Sequence, residues 1–142
     1  SILADPRNKN AQKLLNEKIK KRESFRPFAP SILEEYGKEY FENYQFTPFM
    51  ERVLPIKKNK RKFIPAVTHV DGSGRLHSVS KKLRPRYHAL ITEFYKITGI
   101  PILINTSFNE NEPVVNKLEE TLDCYLRTNL DVLVLGNYVL EK

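Results

Sequence analysis

Cys124 is the sole cysteine, so the chain cannot form an internal disulfide, and a reducing, cytoplasmic setting is expected. No motif around it would activate a thiol, and it reads as a small buried hydrophobe on a helix. The three histidines and one cysteine offer no spacing that would gather three or four ligands, so no metal site is expected here. No apolar run approaches the roughly 18–20 residues a membrane helix needs. The first residues have neither the basic start nor the apolar core of a signal peptide. Neither a Walker A loop nor G-x-G-x-x-G is present, and there is no nucleophile elbow. Internal repeats and low-complexity stretches are also absent.

What remains is 142 residues, enough for one domain with a real core, and a 40% apolar fraction that supports folding over disorder. The formal net charge is +7. Much of it sits in two clusters, Lys18, Lys20, Lys21 and Arg22, then Lys57, Lys58, Lys60, Arg61 and Lys62. Three readings are open: solvated surface, a nucleic-acid contact, or a basic pocket for a small phosphorylated ligand.

Ser1 to Ala4 begins inside an apolar stretch with no Met, as in a domain cut from a longer chain. Asp5-Pro6 predicts a helix start, with Ala11, Leu14, Leu15 and Ile19 as its apolar face. Residues 23–31 carry Pro27 and Pro30 and predict an extended edge segment that holds Arg26 rigidly. A short helix is expected around Glu39-Tyr40-Phe41. Met50–Leu54 and Phe63–Val70 read as a hairpin joined by a mobile lysine loop over 57–62. Asp71-Gly72-Ser73-Gly74 is a turn, and Arg75–Val79 another strand. Tyr87, Leu90, Ile91, Phe94 and Ile97 mark a helix over 84–98 that Gly99 ends, with Phe94 expected to be fully buried. Pro101–Ile104 reads as a central strand. Asn116 with Glu119 suggests a capping-box start for a last helix holding Leu118, Leu122, Cys124, Tyr125 and Leu126. Asp131–Leu135 and Tyr138–Leu140 form a hairpin across a type I′-like Gly136-Asn137 turn. The expected class is α/β, a twisted mixed β-sheet with covering helices.

The chemistry-bearing residues lie at element ends: Lys20, Arg22, Arg26, Thr68, His69, Asp71, Arg75, Asn105, Ser107 and Asn109. In open α/β sheets, ligands bind at strand carboxyl ends. The ends at 68–75 and 105–109 are therefore expected to lie side by side on one polar pocket. Arginines and a lysine suit a phosphoryl group, while Ser, Thr and Asn supply small donors. That points to phosphoryl or acyl-phosphate chemistry by positioning and charge.

Five stretches carry a resemblance: Ser1-Ile2-Leu3-Ala4-Asp5-Pro6-Arg7; Lys20-x-Arg22-Glu23-x-Phe25-Arg26-Pro27-Phe28-Ala29-Pro30-Ser31; Pro65-Ala66-Val67-Thr68-His69-Val70-Asp71-Gly72; Asn105-Thr106-Ser107-Phe108-Asn109; and Arg127-Thr128-x-x-Asp131-Val132-Leu133-Val134-Leu135-Gly136-Asn137. In this order they resemble the C-terminal domain of the NodU/CmcH carbamoyltransferase family, described as YrdC-like. Two departures are visible: the family has an Arg before Ser-Ile-Leu, and a Gly where Asn111 stands before Glu112-Pro113. The resemblance implies that residues 1–142 bind carbamoyl phosphate and ATP (with Mg) and make carbamoyl adenylate. An N-terminal transferase domain, which holds the family's metal, would then carbamoylate a hydroxyl. It implies His69 and Asp71 as catalytic, and Lys20, Arg26, Arg75, Asn105 and Ser107 on carbamoyl phosphate. Arg22, Thr68 and Asn109 would contact the nucleotide. No membrane partner is expected. The alternatives are RNA binding through the basic loop 57–62, ranked behind because Phe63 is its only aromatic, and an inactive docking domain.

Overall fold

A computed structural model describes residues 1–142, which divide into two compact units. The first contains residues 1–12 and 27–106, and the second residues 13–26 and 107–142.

The first unit is a mixed five-stranded sheet in the order β1-β5-β2-β4-β3. Its strands are β1 (Ile2–Ala4), β2 (Ala29–Leu33), β3 (Arg52–Pro55), β4 (Ser73–Val79) and β5 (Ile102–Thr106). β2 runs parallel to β4 and antiparallel to β5, while β1 and β3 close the two edges antiparallel to β5 and β4. All five residues of β2 are buried. Residues 23–28 of the segment expected at an edge form no strand, and its end, residues 29–31, lies in the middle strand. Pro30 is tolerated there because it precedes Ser31, the first residue in register with β4.

The longest helix is α4 (Pro85–Thr98), closed by the Gly99 N–H on the Tyr95 carbonyl. Ile91 on α4 is fully buried against Leu33, Val79 and Leu103, with Leu3, Tyr36, Tyr87 and Phe94 around them. Phe94 is thus only partly buried, and Leu90 and Ile97 face outward at 49% and 85% exposure. The apolar arc read from the helix is wider than the sheet can cover.

Residues 63–70 are not a strand. Pro65–Val67 forms a 3-10 turn whose Ala66 N–H reaches the Pro6 carbonyl at 3.1 Å, and β4 takes β3 as its partner instead. Ile64, Ala66 and Val67 are all buried, so the run is apolar because it packs, not because it alternates. The lysine stretch is a helical turn, α3 (Lys58–Arg61). Lys60 pairs with Glu39, and Arg61 Nε donates to the Ile56 carbonyl at 2.9 Å. A short helix, α2 (Gly37–Tyr40), follows a 3-10 turn at Glu34–Tyr36. Gly72, at φ +82°, makes the turn into β4 in a conformation that side chains rarely adopt.

Asp5 caps no helix. Its carboxylate is clamped by Arg7, and helix α1 begins only at Ala11 (Ala11–Leu14).

In the second unit, residues Leu15–Ile19 form a π-helical turn. Helix α5 (Leu118–Arg127) starts one residue later than expected: Glu120 accepts from the Asn116 and Lys117 N–H groups at 3.2 and 3.4 Å. Cys124 is buried on α5. Strands β6 (Val132–Leu135) and β7 (Tyr138–Glu141) make a separate hairpin. Only Gly136 of its two turn residues has positive φ, at +59°, which is the II′ pattern; type I′ needs both. The Tyr125 hydroxyl lies 3.2 Å from both the Asp131 and Leu140 carbonyls and shares its one proton between them, tying hairpin to helix.

Candidate functional site

The site in the second unit starts from the π-turn. Widening the helix brings the Lys20 N–H onto the Leu15 carbonyl at 2.9 Å and the Arg22 N–H onto the Asn16 carbonyl at 3.0 Å. Lys21 then takes left-handed backbone, φ +44°. Asn16, wholly buried, organises the segment beyond this turn. Its amide donates to the carbonyls of Ser24 and Arg26 at 3.1 and 2.9 Å, and its oxygen accepts from Arg22 Nε at 2.7 Å. One side chain thereby fixes the loop that carries Arg22 and Arg26.

Lys20 is only 2% exposed. Its ammonium reaches the carbonyl and hydroxyl of Ser107 at 2.6 and 3.1 Å, and the carbonyl and amide oxygens of Asn109 at 2.7 and 2.6 Å. Three donors meet four acceptors, so Lys20 pins the Ser107-Phe108-Asn109 loop. Burial, assisted by Arg22, lowers the Lys20 pKa to about 8, with Cys124 and Glu112 opposing. The Ser107 hydroxyl donates to Asn109 Oδ1 at 2.6 Å.

Beside this pin is a cavity of about 410 Å³ lined by Lys20, Lys21, Arg22, Glu23, Arg26, Ser107, Asn109, Glu110 and Asn111. Arg26 Nε sits 2.8 Å from Glu23, and Lys21 Nζ sits 2.5 Å from Glu110. A backbone N–H and the Arg26 charge lower the Glu23 carboxyl. The cavity wall therefore holds cations held against carboxylates, with a neutral Ser–Asn corner.

The first unit carries the other residues singled out in the sequence. His69 and Asp71 share one turn: Asp71 Oδ1 accepts from the Ser73 N–H and hydroxyl at 2.9 and 2.6 Å, and that hydroxyl lies 3.2 Å from His69 Nδ1. The Ser73 bonds lower Asp71, and burial lowers His69, whose Nε2 is buried without a partner. Arg75 is exposed on β4, and its charge also depresses His69. Thr68 turns its hydroxyl back to the Ile64 carbonyl at 2.9 Å. Asn105 belongs to a different cluster. Its amide donates to Ser31 Oγ at 3.1 Å, and Ser31 Oγ meets His77 Nδ1 at 2.7 Å. Burial lowers His77 and pushes the Tyr87 phenol up to about 12.

The structure thus gathers Lys20, Arg22, Arg26, Ser107 and Asn109 around one cavity, and His69, Asp71 and Arg75 around one turn. Sequence reading missed Asn16, Glu110, Ser31 and His77 as organisers. Asn16 carries no local signal, since its partners lie beyond a π-turn that no periodicity announces. No group of three or more His, Cys, Asp or Glu side chains is placed to hold a metal ion, and no helix is long and apolar enough to cross a membrane.

Comparison with known proteins adds a family. Residues 1–142 match the family described as Carbamoyltransferase C-terminus. Nodulation protein NolNO of Sinorhizobium fredii is 48% identical over 146 residues, spanning 100% of this chain and 22% of that protein. Nodulation protein NolO of Bradyrhizobium diazoefficiens is 47% identical, again over 100% of this chain and 27% of its own length. The 3'-hydroxymethylcephem-O-carbamoyltransferase of Amycolatopsis lactamdurans is 36% identical over 137 residues, 94% of this chain and 26% of that enzyme. The chain spans about a quarter of the length of these relatives.

Proposed function

Since the chain belongs to the carbamoyltransferase C-terminus family, we propose that it serves O-carbamoyl transfer by binding carbamoyl phosphate and ATP and forming carbamoyl adenylate: water cleaves carbamoyl phosphate to carbamate and inorganic phosphate, and the carbamate oxygen attacks the α-phosphorus of ATP and expels pyrophosphate. A further portion, for which the longer relatives have room outside the stretch matched here, would pass the carbamoyl group to a hydroxyl. The observation that carries this reading is the cavity where Arg22, Arg26 and Lys21 stand beside the Lys20-pinned Ser107 and Asn109. A phosphate dianion needs cations of fixed geometry, and the guanidinium supplies parallel N–H donors. The uncharged carbamoyl end needs a short-range donor and acceptor, which Ser107 and Asn109 give without added charge.

Within the sheet unit, His69, Asp71 and Arg75 would make a phosphate-handling turn, with Thr68 on the nucleotide side; within the second unit, Arg22 and Asn109 would take the nucleotide beside the cavity. Asn105, proposed from the sequence for the carbamoyl end, is buried in the sheet unit with its amide on Ser31 Oγ.

Calorimetric titration with carbamoyl phosphate tests the reading. Arg26→Ala should lose a charge-assisted bond of roughly 1.5–3 kcal/mol, about tenfold to a hundredfold in affinity. Ser107→Ala should cost roughly 0.5–1.5 kcal/mol. If Arg26→Ala stays folded by circular dichroism and binds like wild type, the phosphate position assigned here is wrong.

A further inference from the structure

We propose that Arg127 is the positioning residue of this site: it never reaches the cavity, but its guanidinium sets the loop that presents Ser107 and Asn109. This rests on the carbamoyl-phosphate reading for its consequence in binding, though not for its geometry.

Arg127 lies on the last turn of α5 and uses all three nitrogens. Nε is 2.7 Å from Asp123, one amino group is 2.6 Å from Glu112, and the other bonds Glu110. Glu110 directly follows Asn109, and Glu112 lies two residues further on. Two connected routes lead from them to the pinned corner. Along one, the Glu112 carbonyl accepts the Asn109 amide at 2.5 Å, which turns Asn109 Oδ1 toward Lys20 and the Ser107 hydroxyl. Along the other, Glu110 has a side chain only 6% exposed and lies between Arg127 and Lys21. A buried carboxylate needs such partners. With Arg127 gone, Glu110 would draw on Lys21 alone, and Glu110 and Glu112 would both lose their ion pairs to α5.

Burial works to raise the Glu112 carboxyl, but backbone N–H groups of the loop and Arg127 outweigh it and hold it down to about 2. The Glu112 carboxylate is therefore charged, and available to Arg127, at every ordinary pH. The Arg127 side chain is 39% exposed, and partly exposed ion pairs contribute little stability. Three carboxylates on one planar fork fix geometry, which is what a lysine's point charge does poorly.

The test compares the 142-residue chain with Arg127→Gln, Arg127→Lys and the double variant Glu110→Gln/Arg127→Gln, each checked for folding by circular dichroism. Arg127→Gln should weaken carbamoyl phosphate binding tenfold or more. Arg127→Lys should recover only part of it. Removing the stranded Glu110 charge in the double variant should recover more than Arg127→Gln retains.

A second readout needs no ligand: hydrogen exchange of amides 107–112 and the NMR titration of Lys20, which faces Arg22, Glu112 and Cys124. In Arg127→Gln, exchange should accelerate at least tenfold, and the Lys20 midpoint should move up from about 8 as its ammonium is rehydrated. A generally looser fold would speed exchange in α5 as well, whereas the clamp predicts an effect confined to the loop. If loop exchange and the Lys20 midpoint match wild type, Arg127 positions nothing and the proposal is overturned. If both move while wild type takes up no carbamoyl phosphate, the clamp stands and the binding reading falls. Should Arg127→Gln not fold, the same two ligand-free measurements on Arg127→Lys decide, with unchanged values again overturning the proposal.

Discussion

Each unit buries a polar cluster, and the two clusters are finished differently. In the sheet unit, Asn105, Ser31 and His77 close on one another inside the strands: Asn105 donates to Ser31, and Ser31 meets the ring at 2.7 Å. Apolar neighbours such as Ile102, Ile104 and Leu76 are fully buried around the same strands. In the smaller unit, Lys20, Ser107 and Asn109 also satisfy one another, but the cluster forms one wall of a cavity lined with further cations. Buried apolar side chains are few there, chiefly Leu15, Ile19, Tyr125 and Leu133. A cluster inside a sheet specifies which strand lies where. A cluster at a cavity wall specifies where a ligand group meets a donor. Substitutions in the sheet cluster should therefore act mainly on stability, and those at the cavity wall mainly on binding.

The largest effect should come from the sheet unit's core. Ile91→Ala removes a fully buried side chain from among Leu33, Val79 and Leu103 and should cost about 2–5 kcal/mol. Phe94→Ala, at a partly buried position, should cost less. Thermal or urea unfolding of both variants measures this. A larger loss at Phe94 would mean that α4 sits on the sheet along a different line.

That helix also indicates how much the sequence discloses. Its existence, its Gly99 end and the neighbouring strand, expected over 101–104 and observed at Ile102–Thr106, follow from periodicity and run length. Which residue lies at the centre of its buried line does not, because Leu90 and Ile97 extend the apolar arc beyond what the sheet covers. Residues 63–67 mislead for a related reason. An apolar run has the same composition whether it pairs with a strand or packs as a 3-10 turn, and what decides is the Ala66 bond to Pro6, sixty positions away in the chain. In the smaller unit, Lys20, Arg22, Arg26, Ser107 and Asn109 were legible as a set of polar groups at element ends. The role of Lys20 as a pin was not, because its acceptors lie 87 and 89 residues on.

An intermediate effect separates the units by pH. Burial holds Lys20 at about 8, below its ordinary 10.5, so between these values the unfolded chain holds the Lys20 proton more tightly than the folded one. Folding is thus disfavoured by Lys20 below about 8, and the penalty is relieved as pH rises through that window. Binding should move the opposite way. As Lys20 loses its charge above about 8, the pin on Ser107 and Asn109 weakens and carbamoyl phosphate affinity should fall. Lys20→Arg, which stays protonated, should flatten that limb if the side chain is accommodated. Calorimetry across this range checks both, and affinity that holds constant up to pH ~10 would remove Lys20 from the binding role.

The smallest effect should come from the other basic cluster. Lys57, Lys58 and Lys60 belong to the sheet unit, on and beside the helical turn α3, and none of them lines the cavity that holds Arg22 and Arg26. Lys60 pairs with Glu39, whose side chain is 49% exposed, and places its ammonium 4.8 Å from the Tyr40 ring. Exposed pairs of this kind are worth about 0–1 kcal/mol. Changing all three lysines to Ser should therefore lower stability by no more than about 1 kcal/mol and leave carbamoyl phosphate affinity within about twofold, which is about 0.4 kcal/mol. The same triple variant asks whether this surface has a separate partner. Polyanion binding driven by phosphate neutralisation weakens steeply with salt. Titrating wild type and variant with single-stranded RNA at two salt concentrations would expose such a contact. Tight, salt-sensitive RNA binding that the variant loses would assign α3 a role of its own, whereas a large loss of carbamoyl phosphate affinity would break the division between the units.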